Sequence, residues 1–166
     1  MNEFDSRFIE HEGVRLHYLS AGTGPLVLFY HGFPLFSYAF FLQMRALARH
    51  YHVVAIDGPG INLSDKPKAL KAYRLPSLVA QIDTLARTLH PDETFDLVGH
   101  DWGGALAFAF AQDPIRTSRF RAYIPFDPFI FTGMPGLFGH CHVVSVDWPV
   151  RAKPHFSAST RGEDSV

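Results

Sequence analysis

The chain has 166 residues, 47% of them hydrophobic and 19% charged, which is enough apolar material for one compact domain and too little charge for a disordered chain. A net charge of −1 and a pI of about 6.8 give no electrostatic footing for nucleic acid or an anionic membrane surface, and no run approaches the ~18 apolar residues of a membrane helix. The single cysteine, Cys141, excludes an internal disulfide, and the polar start Met1-Asn2-Glu3-Phe4-Asp5 is no signal peptide, so a cytoplasmic location is expected.

Residues 8–11 and 14–19 alternate around Gly13 and predict a β-hairpin. Residues 25–30 form a continuous apolar run, the pattern of a strand buried on both faces, and end at His31-Gly32-Phe33-Pro34. Residues 36–50 read as a helix, and residues 52–56 as a second buried strand, broken by Asp57-Gly58-Pro59-Gly60. A loop is expected over 58–72. Leu75, Leu78, Val79, Ile82, Leu85 and Leu89 then recur at helical spacing, predicting an amphipathic helix over 76–89 between Pro76 and Pro91. A strand over 94–98 leads into Gly99-His100-Asp101-Trp102-Gly103-Gly104 and an alanine-rich helix over 102–112. Residues 121–126 suggest another strand, weakened by Pro125.

Strands alternating with helices imply a mostly parallel sheet with helices on both faces. Ligands in such sheets bind beyond the carboxyl ends of the strands. His31-Gly32-Phe33, Asp57 and Asp101 each follow a predicted strand, so three loops should converge on one edge. Residues 1–126 form the expected core domain, and 127–166 an irregular tail rich in proline and glycine.

Gly99-His100-Asp101-Trp102-Gly103 has the Gly-x-Asp-x-Gly form of a nucleophile elbow, a tight strand-to-helix turn that needs small residues on either side. Two readings of Asp101 follow. It is the N-cap of the helix, a role aspartate favours, or it is a carboxylate nucleophile kept ionised near the helix N-terminus. In His31-Gly32-Phe33-Pro34 the N–H of Phe33, with that of Trp102, would make an oxyanion hole, against the alternative of an ordinary strand-ending turn. His31, which precedes the turn, reads as structural. No Cys or His cluster has metal-ligand spacing, and no Gly-x-Gly-x-x-Gly follows a strand, so neither metal nor other cofactor is expected.

Together and in this order, His31-Gly32-Phe33-Pro34, Asp57-Gly58-Pro59-Gly60-Ile61-Asn62-Leu63-Ser64-Asp65-Lys66-Pro67 and Gly99-His100-Asp101-Trp102-Gly103-Gly104 resemble the N-terminal half of an α/β-hydrolase of the epoxide hydrolase and haloalkane dehalogenase group. The resemblance covers residues 8–112. Asn62 stands where the family usually has glycine, a mild departure because asparagine tolerates a left-handed backbone. The resemblance implies attack by Asp101 on an electrophilic carbon of a small-molecule substrate, giving an alkyl–enzyme ester that a histidine-activated water then hydrolyses. It implies a supporting loop around Asp101 made of His31, Gly32, Pro34, His100 and Gly103. His-Gly-Phe-Pro, with Phe33 where many dehalogenases have asparagine, favours epoxides over carbon–halogen bonds.

The family places its acid and its histidine after the nucleophile. Asp127 is a candidate acid, or a turn aspartate before Pro128. Downstream histidines are His140, His142 and His155, none in recognisable family context. The α/β-hydrolase sheet is therefore expected to be incomplete, with cap and late strands missing. A fragment, a truncated or frame-shifted chain, or completion by a second chain would each account for that. An enzyme acting through Asp101 and a catalytically inactive remnant are the two functional expectations.

Overall fold

The computed structural model describes residues 3–128, and the side chains of all of these except Phe120, Phe126, Asp127 and Pro128. His140, His142 and His155, and the tail beyond residue 128, lie outside the described residues. Among the described residues six strands form one sheet: β1 (Asp5–His11), β2 (Val14–Ala21), β3 (Leu26–Tyr30), β4 (His52–Ile56), β5 (Phe95–Asp101) and β6 (Phe120–Pro128). Their order is β1-β2-β4-β3-β5-β6. The hairpin β1–β2 and the β2–β4 pair are antiparallel, while β4, β3, β5 and β6 run parallel. Three helices join the parallel strands: α1 (Phe41–Leu47), α2 (Leu75–Leu89) and α3 (Trp102–Ala111).

Alternation along the buried strands explains why helices cover both faces. Leu26 and Leu28 of β3, with Val54 and Ile56 of β4, face Ile82 and Leu85 of α2 and Leu106 and Phe110 of α3. Val27 and Phe29, with Val53 and Ala55, face Phe40 and Met44 on the α1 side. Phe29, Phe95, Phe110 and Met44 are essentially inaccessible to solvent, and each such side chain contributes about 1.5–3 kcal/mol through burial.

Several elements differ from their predicted extent: β1 begins at Asp5 instead of residue 8, and a 3-10 turn at Leu70–Tyr73 falls in the loop expected over 58–72. The helix expected over 36–50 is a 3-10 turn at Ser37–Phe40 followed by the short α1. The N–H of Ser37 is taken by Asp57 Oδ1 at 2.6 Å, and Leu47 O accepts from both His50 and Tyr51 as the chain turns into β4. The strand expected over 94–98 runs on to Asp101, because Gly99, His100 and Asp101 keep pairing with β6 after the apolar run has ended. β6 forms in spite of Pro125. It is one of the two edge strands among the described residues, so one of its edges needs no ladder donors.

From β3 the chain passes to β4 on one side, then crosses back to β5 on the other. The carboxyl ends of β3 and β5 therefore frame a topological switch point, the place where open parallel sheets form ligand crevices.

Candidate active site

β5 delivers Asp101 to that switch point, and α3 starts at the next residue. Asp101 has φ 52° and ψ −117°, the geometry of the first central residue of a type II′ turn, where glycine is the favoured residue. A non-glycine residue held there is strained by about 1–3 kcal/mol. The turn closes only because its neighbours lack side chains. A Cβ on Gly99 would collide with the carbonyl of Gly103, and one on Gly103 with the carbonyls of Tyr30 and His31.

The carboxylate of Asp101 makes no capping bond to α3, although Asp101 occupies the N-cap position. It reaches across to the β3 loop instead, where Oδ2 accepts the N–H of Phe33 at 3.0 Å. Gly32 makes the approach feasible: a Cβ there would lie 2.5 Å from Asp101 Oδ2. The loop is closed by Leu35 N–H donating to Gly32 O at 2.9 Å, around a cis peptide bond between Phe33 and Pro34. Trp102 follows Asp101 in the chain and Phe33 reaches its carboxylate through the backbone, and the two residues stand 48% and 73% exposed. Asp101, Phe33, Gly32, Pro34, Gly103 and Trp102 are thus gathered at one edge.

His31 is buried and tied at both ring nitrogens. Nδ1–H donates to Gly32 O at 3.0 Å, and Nε2 accepts the N–H of Gly58 at 3.1 Å. Burial pushes its pKa below the ordinary 6.5, against smaller raising effects from the Gly32 carbonyl and Asp57. It fastens the β3 loop to the β4 loop. His100, the penultimate residue of β5, is half-buried beside the turn.

An α/β-hydrolase fold profile matches residues 25–149, most of the chain. The chain belongs to the α/β-hydrolase fold family. Epoxide hydrolase 1 of Caenorhabditis elegans is 43% identical over 111 residues, covering 66% of this chain and 27% of the relative. Epoxide hydrolase B of Mycobacterium tuberculosis is 38% identical over 139 residues, covering 80% of this chain and 38% of the relative. The crystal structure of Bacillus megaterium epoxide hydrolase in complex with an inhibitor superposes with a TM-score of 0.69 at 37% identity, covering 74% of this chain and 42% of that one. The chain spans roughly a quarter to two-fifths of the length of these curated relatives.

In this α/β-hydrolase the loop after β4 plays a different part from the other two. Asp57 follows its strand as expected, yet its carboxylate is wholly buried and taken up by a polar network. Oδ2 accepts from His17 Nδ1 at 2.6 Å and from Asn62 Nδ2 at 2.7 Å, and Oδ1 accepts from Ser37 N–H. Ser64 Oγ donates to the Asp57 carbonyl at 2.7 Å and accepts the His17 N–H at 2.8 Å. This network locks β2, the β3 loop and residues 57–64 together. Asn62 has φ 43°, the left-handed conformation that asparagine tolerates. Sequence reading missed His17. Its signal was a histidine inside an otherwise apolar stretch of β2, Leu16 to Leu19.

Asp127 lies near the carboxyl end of the hydrolase's β6, where a register shift opposite His100 and Asp101 brings Pro128 level with Asp101. Its side chain lies outside the described residues. No group of three or more His, Cys, Asp or Glu is placed to hold a metal ion among the described residues, and no helix there is long and apolar enough to cross a membrane.

Proposed function

We propose that the chain carries the nucleophilic half of an epoxide hydrolase, with Asp101 as the nucleophile. The observation that carries this is the bond from Phe33 N–H to Asp101 Oδ2. It holds one carboxylate oxygen in a backbone donor site and leaves Oδ1 for attack. Oδ1 displaces the epoxide oxygen from carbon, forming an alkyl–enzyme ester while that oxygen is protonated. Water then attacks the ester carbonyl, whose oxygen is Oδ2, and a vicinal diol leaves. Negative charge builds on Oδ2 in this second step, where the N–H groups of Phe33 and Trp102 are the proposed oxyanion hole. One such donor is worth about 2.7–4 kcal/mol in the transition state. Asp127 is the proposed acid that orients the water-activating histidine. His31 is not that base, because its Nε2 lone pair is committed to Gly58. The similarity to epoxide hydrolases of Caenorhabditis elegans and Mycobacterium tuberculosis supports the reaction class.

Carbon–halogen bonds are the second reading: Trp102, exposed and next to Asp101 in the chain, is a residue type that both the epoxide and the dehalogenase branch place after the nucleophile. The whole natural gene product should hydrolyse members of an epoxide panel and leave a haloalkane panel untouched. Intact mass spectrometry during turnover should trap an ester on the peptide containing Asp101. Full activity in Asp101→Ala on any accepted substrate would overturn the assignment, and halide release without epoxide turnover would favour the second reading.

A further inference from the structure

A second line of catalytic residue types crosses the antiparallel margin of the sheet. His17 Nδ1 lies 2.6 Å from Asp57 Oδ2, and His17 Nε2 lies 2.8 Å from Ser6 Oγ. Asp57 and His17 are buried and Ser6 is exposed. Ser6 sits on β1 and Asp101 on β5, four strand spacings of about 4.8 Å away, so the two places are separate.

The hydrogen-bond directions follow from the acceptors. The Asp57 carboxylate already accepts from Ser37 N–H and Asn62 Nδ2, so His17 donates to it from Nδ1. With the imidazole neutral, Nε2 then turns its lone pair to Ser6, whose hydroxyl donates. A buried carboxylate orienting a histidine, which in turn accepts from an exposed hydroxyl, is the arrangement that activates a serine. Phe8 is exposed on the same face, its ring 5.2 Å from that of His17 and 4.6 Å from the Arg15 guanidinium carbon. It offers an apolar wall to an aryl group.

We propose that Ser6 is a second nucleophile, accepting acyl groups from activated aryl esters with His17 as general base and Asp57 as its orienting partner. Ser6 Oγ bonds to the ester carbonyl carbon as the carbon–oxygen bond to the aryl group breaks. The Ser6 proton passes to His17 Nε2 and from there to the departing phenolate. The site is independent of the Asp101 chemistry.

The test is p-nitrophenyl acetate added to the folded 166-residue chain, with peptide mass spectrometry of the product. Ser6 should gain one acetyl group at least about 100-fold faster than in the same chain unfolded in urea, the lower range of general-base assistance. The exposed Ser118 serves as internal reference and should show no such ratio. Ser6→Ala should remove the early release of nitrophenolate. His17→Asn, checked for folding by circular dichroism, should slow acetylation of Ser6. Acetylation of Ser6 no faster in the folded than in the unfolded chain overturns the proposal, whatever the variants do, and marks the line as a purely structural network.

Discussion

The backbone N–H of Phe33 donates to Asp101 Oδ2 across 3.0 Å, joining residues 68 apart in the chain. The two oxygens of that carboxylate are therefore not equivalent. Oδ2 is held by the β3 loop, and Oδ1 accepts no hydrogen bond among the described residues. Gly32 permits the contact and the positive φ of Asp101 directs it.

Asp101→Asn keeps the shape of the side chain and removes the proposed nucleophile. In the whole natural gene product we expect kcat on an epoxide to fall by about 10⁴-fold or more, the scale seen when a covalent nucleophile is lost. Circular dichroism and the unfolding midpoint should stay near those of the parent. Steady-state kinetics on a single epoxide is the check.

Asp101→Gly tests the strain. The φ of 52° with ψ of −117° suits glycine, and the side chain makes no capping bond that would be lost. Relief of about 1–3 kcal/mol should raise the urea midpoint while activity disappears. A midpoint unchanged or lowered would mean that the Phe33 contact outweighs the strain.

Gly32→Ala places a Cβ against the Asp101 carboxylate. Either the β3 loop or the carboxylate must shift. A displacement of about 1 Å costs on the order of 10²-fold in rate. We expect kcat to fall on that scale, with a smaller change in KM, because the loss is in placement of the proposed attacking oxygen.

Much of this architecture is legible in the order of apolar runs and turn residues. β3 and β4 announce themselves as buried runs, α2 as a helical stripe, and the elbow as glycines around Asp101. Hydrophobicity alone ends β5 at Val98, since Gly99 to Asp101 are held by backbone pairing to β6, which leaves no apolar trace. The cap reading of Asp101 was open in sequence because a carboxylate at a helix start looks the same either way. Its partner, Phe33, is supplied by a different strand. Asp57 shows the same limit from the other side. Its position after a strand suggested a place in the site, but His17, Ser37 and Asn62 capture its carboxylate, and His17 is 40 residues away.

Asp57→Ala should be among the most damaging single changes. It leaves His17 Nδ1, Ser37 N–H and the Asn62 amide without their buried acceptor. Removing one member of such a buried charged network costs about 3–5 kcal/mol. Denaturant unfolding should show that loss, and Asp57→Asn should recover only part of it.

Acid should loosen the fold from near neutrality. Burial pushes His31 and His52 below the ordinary 6.5, with His90 adding to the effect at His52. The unfolded chain then binds these protons more readily than the folded one. Stability is complete above about pH 6.5 and is lost as pH falls from there through the lowered folded values. Urea midpoints measured between about pH 7.5 and 5 should be flat and then fall. His31→Gln, which keeps a side-chain acceptor for Gly58 N–H, should make that fall shallower.

The pairing of Tyr30 with Gly99 sets how far Phe33 lies from Asp101. A slip of one residue between β3 and β5 would move the donor by about 3.3 Å and flip the side chains to the opposite face. No local segment can hold the two groups together on its own, since the chain between them makes β4, α2 and most of β5. Closing so long a loop is a slow, late kind of event in folding. On the proposed role of Asp101, the time at which it first becomes alkylatable during refolding should therefore coincide with the appearance of the native sheet, and that reaction would serve as a chemical clock for its assembly.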